Sequence, residues 1–129
     1  MEYFKKIVWP ILLTGFWINI SETLRWVFFV EPYWIEYYQN LNLTFPTGMT
    51  NNIIWMIWGF CFATAIFIFS KKFTLFQTTI LSWFLAFAML WLVLWNINIL
   101  PVGFLWFVIP LSLFEAFVGS WICKKLLAG

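Results

Sequence analysis

The chain has 129 residues, of which 64% are hydrophobic, 25% aromatic and only 9% charged. A soluble domain carries about 25% charged residues, so this composition excludes a soluble fold and marks an integral membrane protein. The net charge of +2 is not gathered into a basic patch, which argues against nucleic acid as a partner. The absence of histidine removes His-ligated haem, His-containing zinc sites and histidine general bases, and neither a cofactor nor a metal is expected.

At about 20 residues per crossing of a roughly 30 Å hydrocarbon layer, the length allows four spans and little else. The opening MEYFKKIVWPILLTGFWI puts Lys5 and Lys6 ahead of a long apolar run, as a signal peptide does, but no small-residue cleavage site follows. It reads as a retained first helix, about 7–30. An outer loop at 31–51 follows, in which Pro32 can open a short interfacial helix and Tyr33, Trp34, Tyr37 and Tyr38 suit the headgroup layer, so that the segment lies on the membrane as a lid. It also contains NLT at 42–44, a formal glycosylation acceptor that matters only in a secretory-pathway cell.

The second helix is expected at about 52–70, the third at 74–95 and the fourth at 102–123. Lys71 and Lys72 separate the second from the third, and the polar NIN at 96–98 before Pro101 separates the third from the fourth. These short connections make neighbours antiparallel, giving an all-α four-helix transmembrane bundle formed by the whole chain, 1–129. In that arrangement Lys5/Lys6, Lys71/Lys72 and Lys124/Lys125 fall on one face, which the positive-inside rule assigns to the cytoplasm. Both termini are then cytoplasmic, and a bacterial cytoplasmic membrane is the expected location. Cys61 falls mid-span and Cys123 at a membrane edge, too far apart for a disulfide, so two free thiols are expected.

Against this apolar background NISETLRW, residues 19–26, is out of place. Each charge at a helix centre costs about 2.5–3.5 kcal/mol on insertion scales, while an apolar residue returns only about 0.3–0.6. Glu22 and Arg25 are three apart and can pair on one helix face. Counted from Lys6, Glu22 lies about 24 Å up, in the outer third of the layer, and Arg25 can snorkel outward from there. Glu115 lies about 14 Å from Lys124, close to the midplane, with no basic residue within one helical turn. A carboxyl so placed is either protonated or faces water or a cation in a cavity. Asn19, about 20 Å above Lys6, is nearer to Glu115 in height, so Asn19, Glu22 and Glu115 can be stations on one polar path. Plain structural roles account for the same residues: a Glu22–Arg25 staple at the boundary, and Glu115 as interhelical glue to Asn19 or a carbonyl.

The fourth helix also carries Ser112, Ala116, Gly119, Ser120 and Cys123, and the second carries Gly59 and Ala63, small faces suited to close packing or to a dimer. Pro10 and Pro110 interrupt the first and fourth helices and are expected to kink them. Of the eleven tryptophans, Trp17, Trp55, Trp58, Trp83, Trp91 and Trp106 fall deep in the spans, where rings either fill the core or line a cavity for a cation or a flat apolar ligand.

Three function classes remain open. The first is a small carrier or binding protein for a hydrophobic or cationic small molecule, proton-coupled through Glu22 or Glu115, with Asn19, Arg25, Trp17, Trp55 and Trp58 as further ligand-binding candidates. A chain this small builds a path as a homodimer or in a larger membrane complex. In size, span number and a first-helix glutamate it is similar to small multidrug carriers, without their motifs, so the likeness is one of architecture alone. The second is a membrane enzyme acting on a lipid or isoprenoid, with Glu22 or Glu115 as candidate catalytic acid or base; two acids converging on one cavity are needed, and their heights differ by about 6–10 Å on the lysine ruler, so convergence needs tilt or a kink. The third is a small subunit of a larger complex. The topology common to all three is tested by cysteine labelling: single cysteines placed in 33–50 should react with an impermeant reagent from outside, and those beside Lys71 only from inside.

Overall fold

The computed structural model describes residues 2–128, and these are overwhelmingly helical. Helix α1 spans Glu2–Arg25 and α2 spans Glu31–Asn40, joined through a π-helical turn, Trp26–Val30. Helix α3 is Met49–Ser70; α4, Leu75–Trp83, passes through a second π-helical turn, Phe84–Ala88, into α5, Met89–Asn96; a 3-10 turn, Val102–Phe104, leads into α6, Leu105–Ala128. Four of these helical runs, Glu2–Asn40, Met49–Ser70, Leu75–Asn96 and Val102–Ala128, are long and apolar enough to cross a membrane.

The largest departure from the sequence-based expectation is at 31–51. The chain there does not leave the helix at residue 30 but continues it to Asn40, and only 41–48 is irregular before α3 begins. Pro32, which supplies no N–H, opens a short helix as expected, but the π-helical turn before it joins that helix to α1 without a break. The proline sits in the first turn of α2, where that donor is least needed, directly after backbone already off the α pattern. The resulting run of 39 residues would span about 58 Å, longer than a hydrocarbon core of roughly 30 Å, so it extends beyond the bundle it belongs to. Pro10 and Pro110 likewise lie inside α1 and α6 rather than ending them.

Local signals set the other ends. Thr74 and Gln77 form a reciprocal capping box that starts α4 immediately after the Lys71–Lys72 turn. Helices α2 and α5 both close on an asparagine in the left-handed region, Asn42 at φ 59° and Asn98 at φ 60°. In each, the following amide returns to a carbonyl five residues back: Leu43 to Tyr38 at 2.9 Å and Ile99 to Leu94 at 3.0 Å. Tyr37 donates to the Asn98 carbonyl at 2.6 Å, tying the α2 extension to the second of these turns. Around that tie, Val30, Leu100, Phe104 and Val108 form a second apolar core, and Phe45 from the irregular segment stacks on Trp26 at 5.0 Å.

In the main bundle α1 packs on α3 and α6, and α4 on α6. In lipid there is little hydrophobic gain from bringing helices together, so packing depends on close approach, and the contact surfaces are accordingly built from small residues. Gly15 faces the Phe60 ring, Gly59 faces the Asn19 amide, and Gly119 faces Ile66 and Thr14. Ser112, Ala116, Gly119, Ser120 and Cys123 are all buried on α6, which assigns that small-residue face to packing within the chain. Both cysteines are free; Cys123 is buried within 3.2 Å of the Thr14 hydroxyl, whereas Cys61 is exposed.

A methyl group added at Gly15 would fall 2.2 Å from Phe60 Cδ1, while one at Gly103 would meet nothing within 4 Å. Gly15→Ala should therefore lower the thermal midpoint in detergent, at a cost of about 1–3 kcal/mol from overpacking. Gly103→Ala should stay within about 0.5 kcal/mol of the parent. Equal midpoints for the two variants would show that α1 and α3 are not in this close contact.

Candidate functional site

Glu22, Arg25 and Glu115 come together. Arg25 Nη2 donates to Glu22 Oε1 at 2.5 Å, the pairing expected from their spacing on α1. Its other nitrogen, Nη1, lies 3.9 Å from Glu115 Oε1 on α6, so the base missing from Glu115's own helix comes from another. Glu22 and Ser21 are also near the Glu115 carboxyl. Arg25 is buried at 8% exposure and Glu115 is fully buried, while the Glu22 side chain keeps 25% of its surface. Glu22 is therefore the open side of the cluster.

The predicted height difference between the two acids does not exist, and the reason is the choice of ruler. Thr14 on α1 meets Cys123 on α6, Glu22 lies eight residues beyond Thr14, and Glu115 lies eight residues before Cys123. At 1.5 Å per residue both carboxyl-bearing turns stand about 12 Å from that contact. Lysine side chains snorkel and the helices that carry them end at different depths, so Lys6 and Lys124 are not level markers.

The guanidinium is sandwiched rather than solvated. Arg25 Cζ stands 5.2 Å from the centroid of the Phe87 ring, a cation–π contact. Phe87 in turn touches Phe62 at 5.4 Å, Trp58 at 5.5 Å and Trp91 at 5.5 Å. Two further tryptophans brace α6 beside Glu115: Trp17 Nε1 donates to the Glu115 carbonyl at 2.9 Å, and Trp83 Nε1 donates to Ser112 Oγ at 2.8 Å. Phe87 is the functional candidate that the sequence did not single out, being one of the chain's seventeen phenylalanines and lying in the uninterrupted apolar stretch 84–95.

Other expected members lie elsewhere. Asn19 does not join the acids; its amide donates to the Gly15 carbonyl at 2.9 Å and packs on Gly59. A shallow groove of about 310 Å³ lined by Phe16, Asn19, Ile20, Thr23 and Leu24 runs along the face of α1 opposite the cluster. Trp55 is 52% exposed and Trp106 78% exposed, so both face outward, Trp55 touching the aromatic group only at its edge through Trp58.

Both π-helical turns border the cluster. Arg25 immediately precedes Trp26–Val30, and Phe87 lies within Phe84–Ala88. Such turns disrupt the regular backbone ladder and occur frequently at functional sites. The cluster also holds polar atoms with no hydrogen-bond partner: Arg25 Nη1 and both carboxylate oxygens of Glu115 are buried and unpaired. Among the described residues no group of three or more His, Cys, Asp or Glu is placed to hold a metal ion.

Fold and cluster together define an integral membrane four-helix protein with a buried Glu–Arg–Glu cluster against an aromatic wall. No family model, no curated protein and no solved structure matches the chain.

Removing Arg25 alone strands two acids, one of them wholly enclosed. Arg25→Ala should cost about 3–5 kcal/mol, the range for breaking a buried pair, and adding Glu22→Gln should recover part of that loss. Denaturation of the single and double variants in one detergent measures the coupling. Strictly additive losses would show that the two side chains do not interact.

Proposed function

We propose that the chain is a small membrane carrier or binding protein for a hydrophobic or cationic small molecule, coupled to proton exchange at Glu115. The observation that carries this reading is the charge count of the buried cluster: two carboxyls face a single guanidinium. With all three ionised, one negative charge is left over in a medium of low dielectric, where it is costly. Either a proton or a monovalent cation cancels it, so the two compete for one place. Such competition is the elementary step of proton-coupled carriage.

The ring faces of Phe87, Trp58, Phe62 and Trp91 supply an apolar wall beside that charge. With the lysine-bearing face in the cytoplasm, Glu22 opens the cluster toward the outside. A homodimer is the simplest assembly that would complete a path. The convergence of Glu22 and Glu115 also favours the enzyme reading, because acid–base work on a lipid or isoprenoid needs two such groups at one place. Charge exchange asks less of the site: it needs one ionisable group that can trade its proton, and Glu115 has both oxygens free to do so.

The test is proton release from purified protein in weakly buffered detergent when tetraphenylphosphonium is added. The wild type should release about one proton per bound cation, and Glu115→Gln should remain folded but release none. Binding without release, or release unchanged in Glu115→Gln, would remove proton coupling at Glu115 and return that residue to a packing role.

A further inference from the structure

We infer that Arg25 is a tethered occupant of a subsite for a compact organic cation, formed by the Glu115 carboxyl and the face of Phe87. A ligand amidinium or guanidinium takes this place when Arg25 withdraws. The inference rests on the carrier reading and names its ligand class.

The two ends of the Arg25 head are held differently. Nη2 is bonded to Glu22, three residues away on the same helix, so that pair can move as a unit. Nη1 points toward Glu115 but stops at 3.9 Å without a hydrogen bond. A carboxylate accepts two parallel N–H bonds from a planar cation at about 2.7–2.9 Å, and Glu115 receives neither. Arg25 thus fills the charge position without completing its bonds. A free amidinium, with no stem to restrain it, reaches the geometry that the tethered guanidinium does not.

The surroundings match such a ligand. Phe87 already accepts a planar cation on its face, and the rings of Trp58, Phe62 and Trp91 behind it suit an apolar body attached to the charged group. Arg25 adjoins, and Phe87 lies within, backbone that has left the α pattern, a departure frequent at functional sites. Arg25 also has a long stem and a partly exposed partner, so withdrawing outward keeps its pairing with Glu22 while its head reaches water. Charge balances throughout: the Arg25–Glu22 pair leaves neutral, the ligand cation pairs with the Glu115 carboxylate, and the Glu115 proton passes to water.

Arg25 is the sole arginine in the chain, so nitrogen-labelled arginine gives guanidinium resonances from one residue. Titrating labelled wild-type protein with benzamidinium should shift these resonances and speed solvent exchange of the Nη protons about tenfold or more. In parallel, the double variant Glu22→Gln/Arg25→Gln should bind benzamidinium about tenfold more tightly than the wild type, and adding Glu115→Gln should abolish the gain. The double change leaves the net charge as it was, so tighter binding reports vacated space rather than removed repulsion.

Arginine resonances unmoved by saturating benzamidinium overturn the inference. So does equal or weaker binding by a folded double variant. If the double variant does not fold, the wild-type titration decides. Proton release on tetraphenylphosphonium that persists alongside either failure leaves the carrier reading standing without this subsite. Tight benzamidinium binding by the double variant, with no proton release from the wild type, keeps the subsite and removes proton coupling.

Discussion

Arg25 stands between two acids from different helices, and much of the bundle's geometry follows from bringing those three groups to one level. An isolated charge in hydrocarbon is costly, whereas opposite charges at contact distance offset much of that cost. The offset requires α1 and α6 to approach closely and in one register. Gly119 on α6, facing Thr14, permits that approach, and Gly15 and Gly59 do the same where α1 meets α3. The contact of Thr14 with Cys123 sits two turns and more below the acids and keeps the register.

The spans were legible because hydropathy and length are properties of single segments. The expected 52–70, 74–95 and 102–123 correspond to helical runs at Met49–Ser70, Leu75–Asn96 and Val102–Ala128. The pairing of Glu22 with Arg25 was legible for the same reason, since both lie on one helix three residues apart. The partner of Glu115 was not, because relative depth between two helices is written nowhere in either sequence. The only internal ruler, the lysines, belongs to flexible side chains.

Direction around each helix was the other hidden quantity. A soluble helix reveals its inner face by alternating polar and apolar residues, but α3 is apolar on all sides, and nothing in its sequence separates Trp55, facing outward, from Trp58, packed on Phe87. The small residues were a better guide. Gly59 and Ala63 on α3, and Ser112 through Cys123 on α6, mark the buried faces, as expected where helix contact rather than water avoidance decides orientation. Asn19 shows the limit of that guide: it lies against Gly59, on the flank of α1, and its amide is satisfied by its own helix.

The polar groups of this bundle fall into two populations, and the division bears on what Glu115 is for. Thr64, Thr79, Ser82, Ser112 and Ser120 each return a hydrogen bond to a carbonyl of their own helix, while Trp17 and Trp83 reach across to α6. These are the ordinary ways in which membrane helices hide polarity, and interhelical glue is made of them. Apart from Ser70 Oγ, the buried side-chain nitrogens and oxygens found without a partner are Arg25 Nη1 and the two oxygens of Glu115. A carboxyl serving as glue would be expected to be the best bonded group in the bundle, because it has the most to lose by desolvation. Here it is among the least bonded, beside a cation that stops short of it and between two π-helical turns. Unused bonding capacity therefore lies where the charge of the bundle is concentrated, which sets Glu115 apart from the residues that hold the helices together.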